Sequence, residues 1–293
     1  MIRSLLALLL ALVPASSALA ANGDAAALVR AIDSAKKNQP VIIPAGEYDI
    51  ADLKIRRSLH LVGEGEVVLT SSRPVEKGLL NPLPGASLTV ENITFRNARS
   101  PDLNGAGIRH DGDDLTIVNC VFIGNEDGVL YTGSPSGRIR IERSVFIDSG
   151  HGDGYSHGIY INDSESLEIE ASRFSGTKIG HHVKSLARRT RIANSQFDDT
   201  NAHTSYALDV SAGGDVSFTG NSVIKSADAD NPSIINYELT RGGDAAALII
   251  ENNRIINRHP NARLLRNETS VKPVISGNEI INEGKGRLDA AGR

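Results

Sequence analysis

One short phrase recurs eight times in this chain at a nearly fixed interval, and it dictates the architecture. It runs from an apolar residue to Val, Ile or Phe two positions on, then Ser or Asn two or three further, then Phe, Val or Ile seven after the start. The first instance is Leu88/Val90/Asn92/Phe95 and the second Leu115/Ile117/Asn119/Phe122. Later starts fall at Ile139, Leu167, Thr190, Val216, Leu248 and Pro273, so the spacing is about 23 to 32 residues, within the range of repeat architectures. Within each repeat, short runs alternate with period two and are rich in Val, Ile and Phe. Clusters of Gly, Asn, Asp and Ser separate them, leaving most repeats no room for a helix. A meander of hairpins would not return the same residue type to the same phase eight times. Parallel coils do, because each residue stacks on its equivalent one strand spacing above, about 4.8 Å away.

This coil geometry sorts the side chains. Phe95, Phe122, Phe146, Phe174 and Phe197 share one column, which continues as Val223, Ile255 and Ile280; Phe218 falls in the neighbouring apolar column. These read as an interior aromatic stack. Asn119, Ser144, Ser172, Ser195, Asn221, Asn253 and Asn278 fall at coil bends, where Asn tolerates left-handed backbone and side chains bond turn backbone. Cys120 lies in the same zone as a buried small hydrophobe. Ahead of the repeats, Asp24 to Lys37 carries an amphipathic helical pattern (Ala27, Leu28, Ala31, Ile32), suited to covering the open end of a solenoid.

The helix followed by VIIPAGEYDI, LKI, LHLVGEG and coils of the type LTIVNCVFIGN resembles the right-handed parallel β-helix proteins of the pectate-lyase-like superfamily. The resemblance runs from about Asp24 to Asn282. It implies an all-β, single-stranded right-handed parallel β-helix with a short N-terminal capping α-helix. That superfamily includes polysaccharide lyases, uronan C5-epimerases, glycoside hydrolases and non-catalytic proteins, so fold alone does not choose an activity. Two sequence signatures of the superfamily are not evident: the clustered surface carboxylates of calcium-dependent pectate lyases and the Asp-Pro-His-Asp run of alginate epimerases.

Residues 1–20 read as a signal peptide. Met1-Ile2-Arg3 is the positive start, Leu5 to Val13 an apolar stretch too short to span a bilayer, and Ala18-Leu19-Ala20 a small-residue cleavage site. The expectation is a secreted or periplasmic protein cleaved near Ala20, with one β-helix domain over 21–285, a flexible tail over 286–293 and no membrane span. A single Cys rules out an internal disulfide framework. The formal net charge of -4 argues against a general nucleic-acid binder, and an acidic polymer would need a local basic patch.

Such a patch is visible in the strand that precedes each repeat start. Aligning Ile108, Val129, Ile159, Val183, Leu208, Ile235 and Leu265 as inward residues makes an outward column of Arg109, Leu130, Tyr160, Lys184, Asp209, Asn236 and Arg266. Alternation also predicts that the residue before each inward one faces out, which would expose His182, but His181 and His182 cannot both point outward from a strand, so one of the two is buried or at the bend; Asn162 and Glu238 fall in a third column. Five of the eight His residues lie between His151 and His203.

A uronic-acid polymer suits this patch. Lyases and C5-epimerases both remove the proton next to the uronate carboxylate, which takes a cation, a base and an acid. The expected roles are Arg188 or Arg189 binding the carboxylate, Lys184 or His182 as base, and Tyr160 or His157 as acid. Lys184 and Asp209 form an ion pair as the alternative to a catalytic Lys184. The rival classes are a glycoside hydrolase using Asp209 with Glu238 or Asp163, and a non-catalytic polysaccharide-binding protein. No cofactor is implied, and His151, Asp153 and His157 match no closed zinc motif.

Overall fold

A computed structural model describes residues 22–36 and 39–284. The signal peptide and its cleavage point, and the tail over 286–293, lie outside the described residues. The chain is an all-β parallel β-helix of about nine coils, as the repeat predicts. Each full coil contributes three strands. One of the three faces is a nine-stranded sheet whose members include Ala106–His110, Asp127–Tyr131, Ile159–Ser164, Val183–Ala187, Leu208–Val210, Ser233–Tyr237 and Arg263–Asn267. The other two faces carry the recurring phrase, the first half in strands such as Leu115–Val118 and the second in strands such as Val121–Ile123. Helix Ala25–Ser34 begins on Asp24, whose carboxylate accepts the Ala27 N–H at 2.8 Å. It lays the buried Leu28 and Ile32 against the first coil.

The interior stack is continuous. The rings of Phe95, Phe122, Phe146, Phe174 and Phe197 lie 4.6 to 5.0 Å apart within 7° of parallel. Phe218 stands one column over, opposite Ile192, and tilts 37° against Phe197.

The bend between the two phrase-bearing faces uses two adjacent residues for two jobs. Asn92, Asn119, Arg143, Ala171, Asn194 and Asn252 take left-handed backbone with φ between 47° and 58°. The next residue turns inward and builds a hydrogen-bond ladder from coil to coil. Cys120 N–H donates to Ser144 Oγ, Ser144 N–H to Ser172 Oγ and Ser172 N–H to Ser195 Oγ, each at 3.1 Å. The ladder continues through Asn221, Asn253 and Asn278 at 2.8 to 3.0 Å. Asn119 therefore belongs to the left-handed column rather than to the ladder, where Cys120 takes the equivalent place.

Phe146 is 2% exposed and stacked on both sides, so Phe146→Ala is expected to cost about 3–5 kcal/mol. Ser172→Ala strands the buried Ser144 N–H and is expected to cost about 1–3 kcal/mol. Urea unfolding of the two variants checks both figures, and wild-type stability for Phe146→Ala would overturn the inward phase.

Candidate functional site

The nine-stranded face holds the predicted outward column in the predicted register. Arg109 pairs with Leu130, Leu130 with Tyr160, Tyr160 with Lys184, Lys184 with Asp209, Asp209 with Asn236 and Asn236 with Arg266. The residue ahead of each inward position behaves differently from simple alternation. A Cβ placed on Gly107 would lie 2.8 Å from the Phe122 ring, and one on Gly128 the same distance from the Phe146 ring. This position points into the stack, so the chain turns the corner with two successive residues inward. At Gly107 and Gly128 the rings leave no space for a side chain.

His182 occupies that inward position one coil above Gly158. It is fully buried, 6.0 Å from the Phe174 ring and 5.8 Å from the Phe197 ring. Its ring nitrogens are engaged by Thr177 Oγ1 and Asp199 Oδ1, each at 2.8 Å. His182 is thus not on the outer face. The corner instead turns the residue before it outward, and His157, His181 and Tyr206 line up there on three coils. His157 stacks on His181 at 4.7 Å, and His181 meets Tyr206 at 4.9 Å. Neither His181 nor Tyr206 stood among the expected site residues; the run of glycines in the adjoining column was the signal that this strand start breaks alternation.

The two outer columns converge on Asp209. Its buried carboxylate accepts from Asn236 Nδ2 at 2.7 Å and Ser211 Oγ at 2.9 Å. Lys184 Nζ stands 3.3 Å away and His181 Nε2 3.5 Å away. Lys184, with 16% of its side chain exposed, also lies 5.5 Å from the centre of the Tyr160 ring. Tyr160 is half-buried and meets His157 edge-on at 5.5 Å. Above them, Arg266 reaches the Tyr206 hydroxyl at 3.4 Å, with Glu238 at 3.8 Å and Glu268 at 3.1 Å.

Burial decides the charge of the imidazoles. It pushes His181 down to about 3, with the Lys184 and Lys225 ammonium groups adding to the effect. Burial likewise holds His157 well below the usual imidazole range, and repulsion between its protonated form and His181 and Lys184 acts in the same direction. His157 Nδ1 accepts the His181 backbone N–H at 3.0 Å, so it supports the column from beneath. Asp127, one coil lower, is raised well above the carboxylate range by burial and accepts the His157 N–H at 2.6 Å.

The remaining expected residues lie to one side. Arg188 and Arg189 follow strand Val183–Ala187 and share Glu165, at 2.9 and 2.7 Å. Arg188 and Asn162 border a groove of about 480 Å³ that also takes in Arg241, Asp215 and Asp244. Glu238 accepts from Thr240 Oγ1 at 2.7 Å, and Asp163 is exposed. Among the described residues, no group of three or more His, Cys, Asp or Glu is placed to hold a metal ion, and no helix is long and apolar enough to cross a membrane.

No protein-family model and no curated protein matches the chain. Solved structures resemble it to different degrees. The protein of Geobacillus virus E2 described as ORF18 is similar with a TM-score of 0.52 at 14% identity, over 89% of this chain and 57% of that one. A PL6 family alginate lyase, AlyGC, gives 0.44 at 16% identity, over 87% of this chain and 38% of that one. The A-module of the Azotobacter vinelandii mannuronan C-5 epimerase AlgE4 gives 0.40 at 14%, over 93% and 95%. At such identities the likeness is one of fold. The chain spans little more than half the length of the viral protein.

The two neutral imidazoles make stability depend on pH. A histidine whose pKa is lowered by folding binds fewer protons in the native state. Stability is then full above the unfolded value of 6.5 and is lost as pH falls toward about 3. Unfolding midpoints in urea should therefore drop between neutral pH and pH ~4. His181→Phe keeps a ring in the stack and should flatten that slope, by up to about 1.4 kcal/mol per pH unit for the one proton removed. An equal slope in wild type and variant would refute the assignment.

Proposed function

We propose that the protein acts on an acidic, uronic-acid-containing polysaccharide by moving the proton at C5, as a lyase or an epimerase. The observation that carries this reading is the Tyr160–Lys184–Asp209 sequence on three successive coils. A hydroxyl able to give or take a proton stands beside an ammonium group that a buried carboxylate holds in place.

Removal of the C5 proton puts negative charge on carbon and on the adjoining carboxylate. Lys184 is the cation suited to that charge, and Asp209 fixes its position so that little reorganisation is needed. Tyr160 is the group that exchanges a proton with the sugar. As phenolate it takes the C5 proton; in a lyase the resulting phenol gives that proton to the leaving glycosidic oxygen, and in an epimerase water on the opposite face of C5 supplies a new one. His181 acts through Asp209, sharing its carboxylate with Lys184. Arg188 and Arg189 would meet the polymer beyond the reacting unit.

The hydrolase alternative needs two carboxyls free to act across one glycosidic bond. Asp209 has its oxygens on Asn236, Ser211, Lys184 and His181, which favours the proton-abstraction reading. Export belongs to the proposal as well, on the strength of the charged start, apolar stretch and small-residue site in residues 1–20; N-terminal sequencing of the mature protein tests it.

A panel of uronans separates the possibilities. A lyase forms a conjugated unsaturated product with ultraviolet absorbance, an epimerase exchanges C5 hydrogen with deuterated water, and a hydrolase makes reducing ends with neither signal. Tyr160→Phe is expected to lower turnover by about 10²–10⁴-fold with binding largely kept. Lys184→Ala should lose turnover too, while Lys184→Arg, which keeps the charge, should retain part of it. Full activity in Tyr160→Phe would remove Tyr160 from the chemistry. Binding without product or exchange would make the protein a non-catalytic binder.

A further inference from the structure

Two apolar side chains stand in the open at the rim of this face, each held there against an ordinary preference of the chain. Tyr155 is 83% exposed. All six Phe are buried, and of the other tyrosines only Tyr160 is even partly exposed. Ile179 is 38% exposed and has a φ of 59°, left-handed backbone that a β-branched residue strongly disfavours. Strain of this kind persists only where the surrounding structure imposes it, and it clusters at ligand-binding sites.

The two residues are equivalent by phase. Each precedes its inward strand residue by four positions, Ile159 for Tyr155 and Val183 for Ile179, and those two are paired in register. Each also precedes by two a member of the stacked pair His157 and His181. Their loops touch, since a Cβ on Gly154 would lie 3.7 Å from Ile179 Cγ2. The Tyr155 loop is braced. Asp153 Oδ1 accepts the Tyr155 N–H at 3.0 Å, and Ser156 Oγ accepts the His151 N–H at 2.7 Å. Gly150, Gly152 and Gly154 supply φ values of 98°, 108° and 84°, which other residues would resist.

We propose that Tyr155 and Ile179 form an apolar platform that stacks on the C–H face of a pyranose ring, a sugar subsite at the edge of the candidate site. The proposal rests on the carbohydrate reading above. A pyranose presents polar edges and one or two flat faces of C–H groups, and a tyrosine ring flanked by an aliphatic branch matches such a face. Its two residues lead into His157 and His181, and His157 meets Tyr160 edge-on, so a polymer crossing Lys184 would lay a neighbouring unit over it. The phenol adds a polar tip that a sugar hydroxyl can bond.

The test uses the full-length mature protein and calorimetric titration with oligomers of mannuronate, guluronate and galacturonate. Tyr155→Ala should weaken binding about tenfold or more, while Tyr155→Phe stays near wild type. Ile179→Gly gives the sharper result. Glycine accepts the left-handed backbone without strain, so the unfolding midpoint should hold or rise while affinity falls, a combination that a purely structural role for Ile179 would not produce. Because the sequence has no Trp, Tyr155→Trp supplies a single tryptophan, excited apart from the tyrosines, whose emission should shift to the blue on saturation. If wild type binds and Tyr155→Ala binds equally, the platform alone is refuted. If Tyr155→Ala instead abolishes self-association of wild type without changing sugar affinity, the patch is a contact between copies and the proposal also fails. If wild type binds no saccharide in the panel, the carbohydrate reading falls and the platform with it.

Discussion

The phenylalanine stack governs the rest of the molecule. Five rings repeating the strand spacing of the coils at 4.6 to 5.0 Å fill the lumen, so the strand starts beside the first of them have no volume to offer. Gly107 and Gly128 answer that demand directly, since a Cβ on either would strike a ring of the stack. Two successive inward residues then turn the corner, and the residue ahead of them is driven out. The outward column of His157, His181 and Tyr206 is a consequence of packing on the opposite side of the sheet. The site is built on the core rather than added to it.

Where His182 replaces glycine in that column, the fold bears the cost of a polar ring in the lumen and offsets it with partners. Thr177 and Asp199 take both ring nitrogens. Burial alone would raise the Asp199 carboxyl, but His182 beside it and the Lys225 charge bring it below the ordinary range. Lys225, pushed down to about 8 by burial, donates to the carbonyls of Ser205 and Thr204. Those carbonyls belong to the loop that delivers Tyr206 to the outer face. Removing one partner from such a group is costly, because it leaves an uncompensated buried charge. The interior network therefore ties down the loop from which the outer site is built.

This division explains what could be read from the sequence. Repetition averages over eight copies, so the inward phase of the phrase, the aromatic stack and the whole column from Arg109 to Arg266 were legible without coordinates. Period-two alternation is a property of extended strand, and it holds only while the backbone stays extended. At the strand starts the chain is bending, and the inference that His182 faces out failed for that reason. Asn119 fell on the wrong side of its bend through a related ambiguity, because adjacent residues there divide the left-handed turn from the inward ladder. Arg188 and Arg189 stood out as bare charge in the sequence; Glu165, more than twenty residues away in the chain, meets both one coil below. Pairing between coils is invisible to a local reading.

The electrostatic arrangement of the face follows from burial more than from net charge. A chain with a formal charge of -4 has no general attraction for a polyanion, and Arg188 and Arg189 at the edge are already paired with Glu165. Lys184 is also paired, but with a carboxylate that is itself buried and shared among Asn236, Ser211 and His181. Each hydrogen bond to Asp209 spreads its charge, so the ammonium keeps part of its field for whatever approaches from solvent. Burial keeps His157 and His181 neutral beside it, which spares Lys184 two competing positive charges at neutral pH. A carboxylate entering this face would thus meet one oriented cation, flanked by a hydroxyl and by rings that repel it little. That is a narrower and more directional attraction than a basic patch would give, and it is suited to holding one anionic group in one orientation.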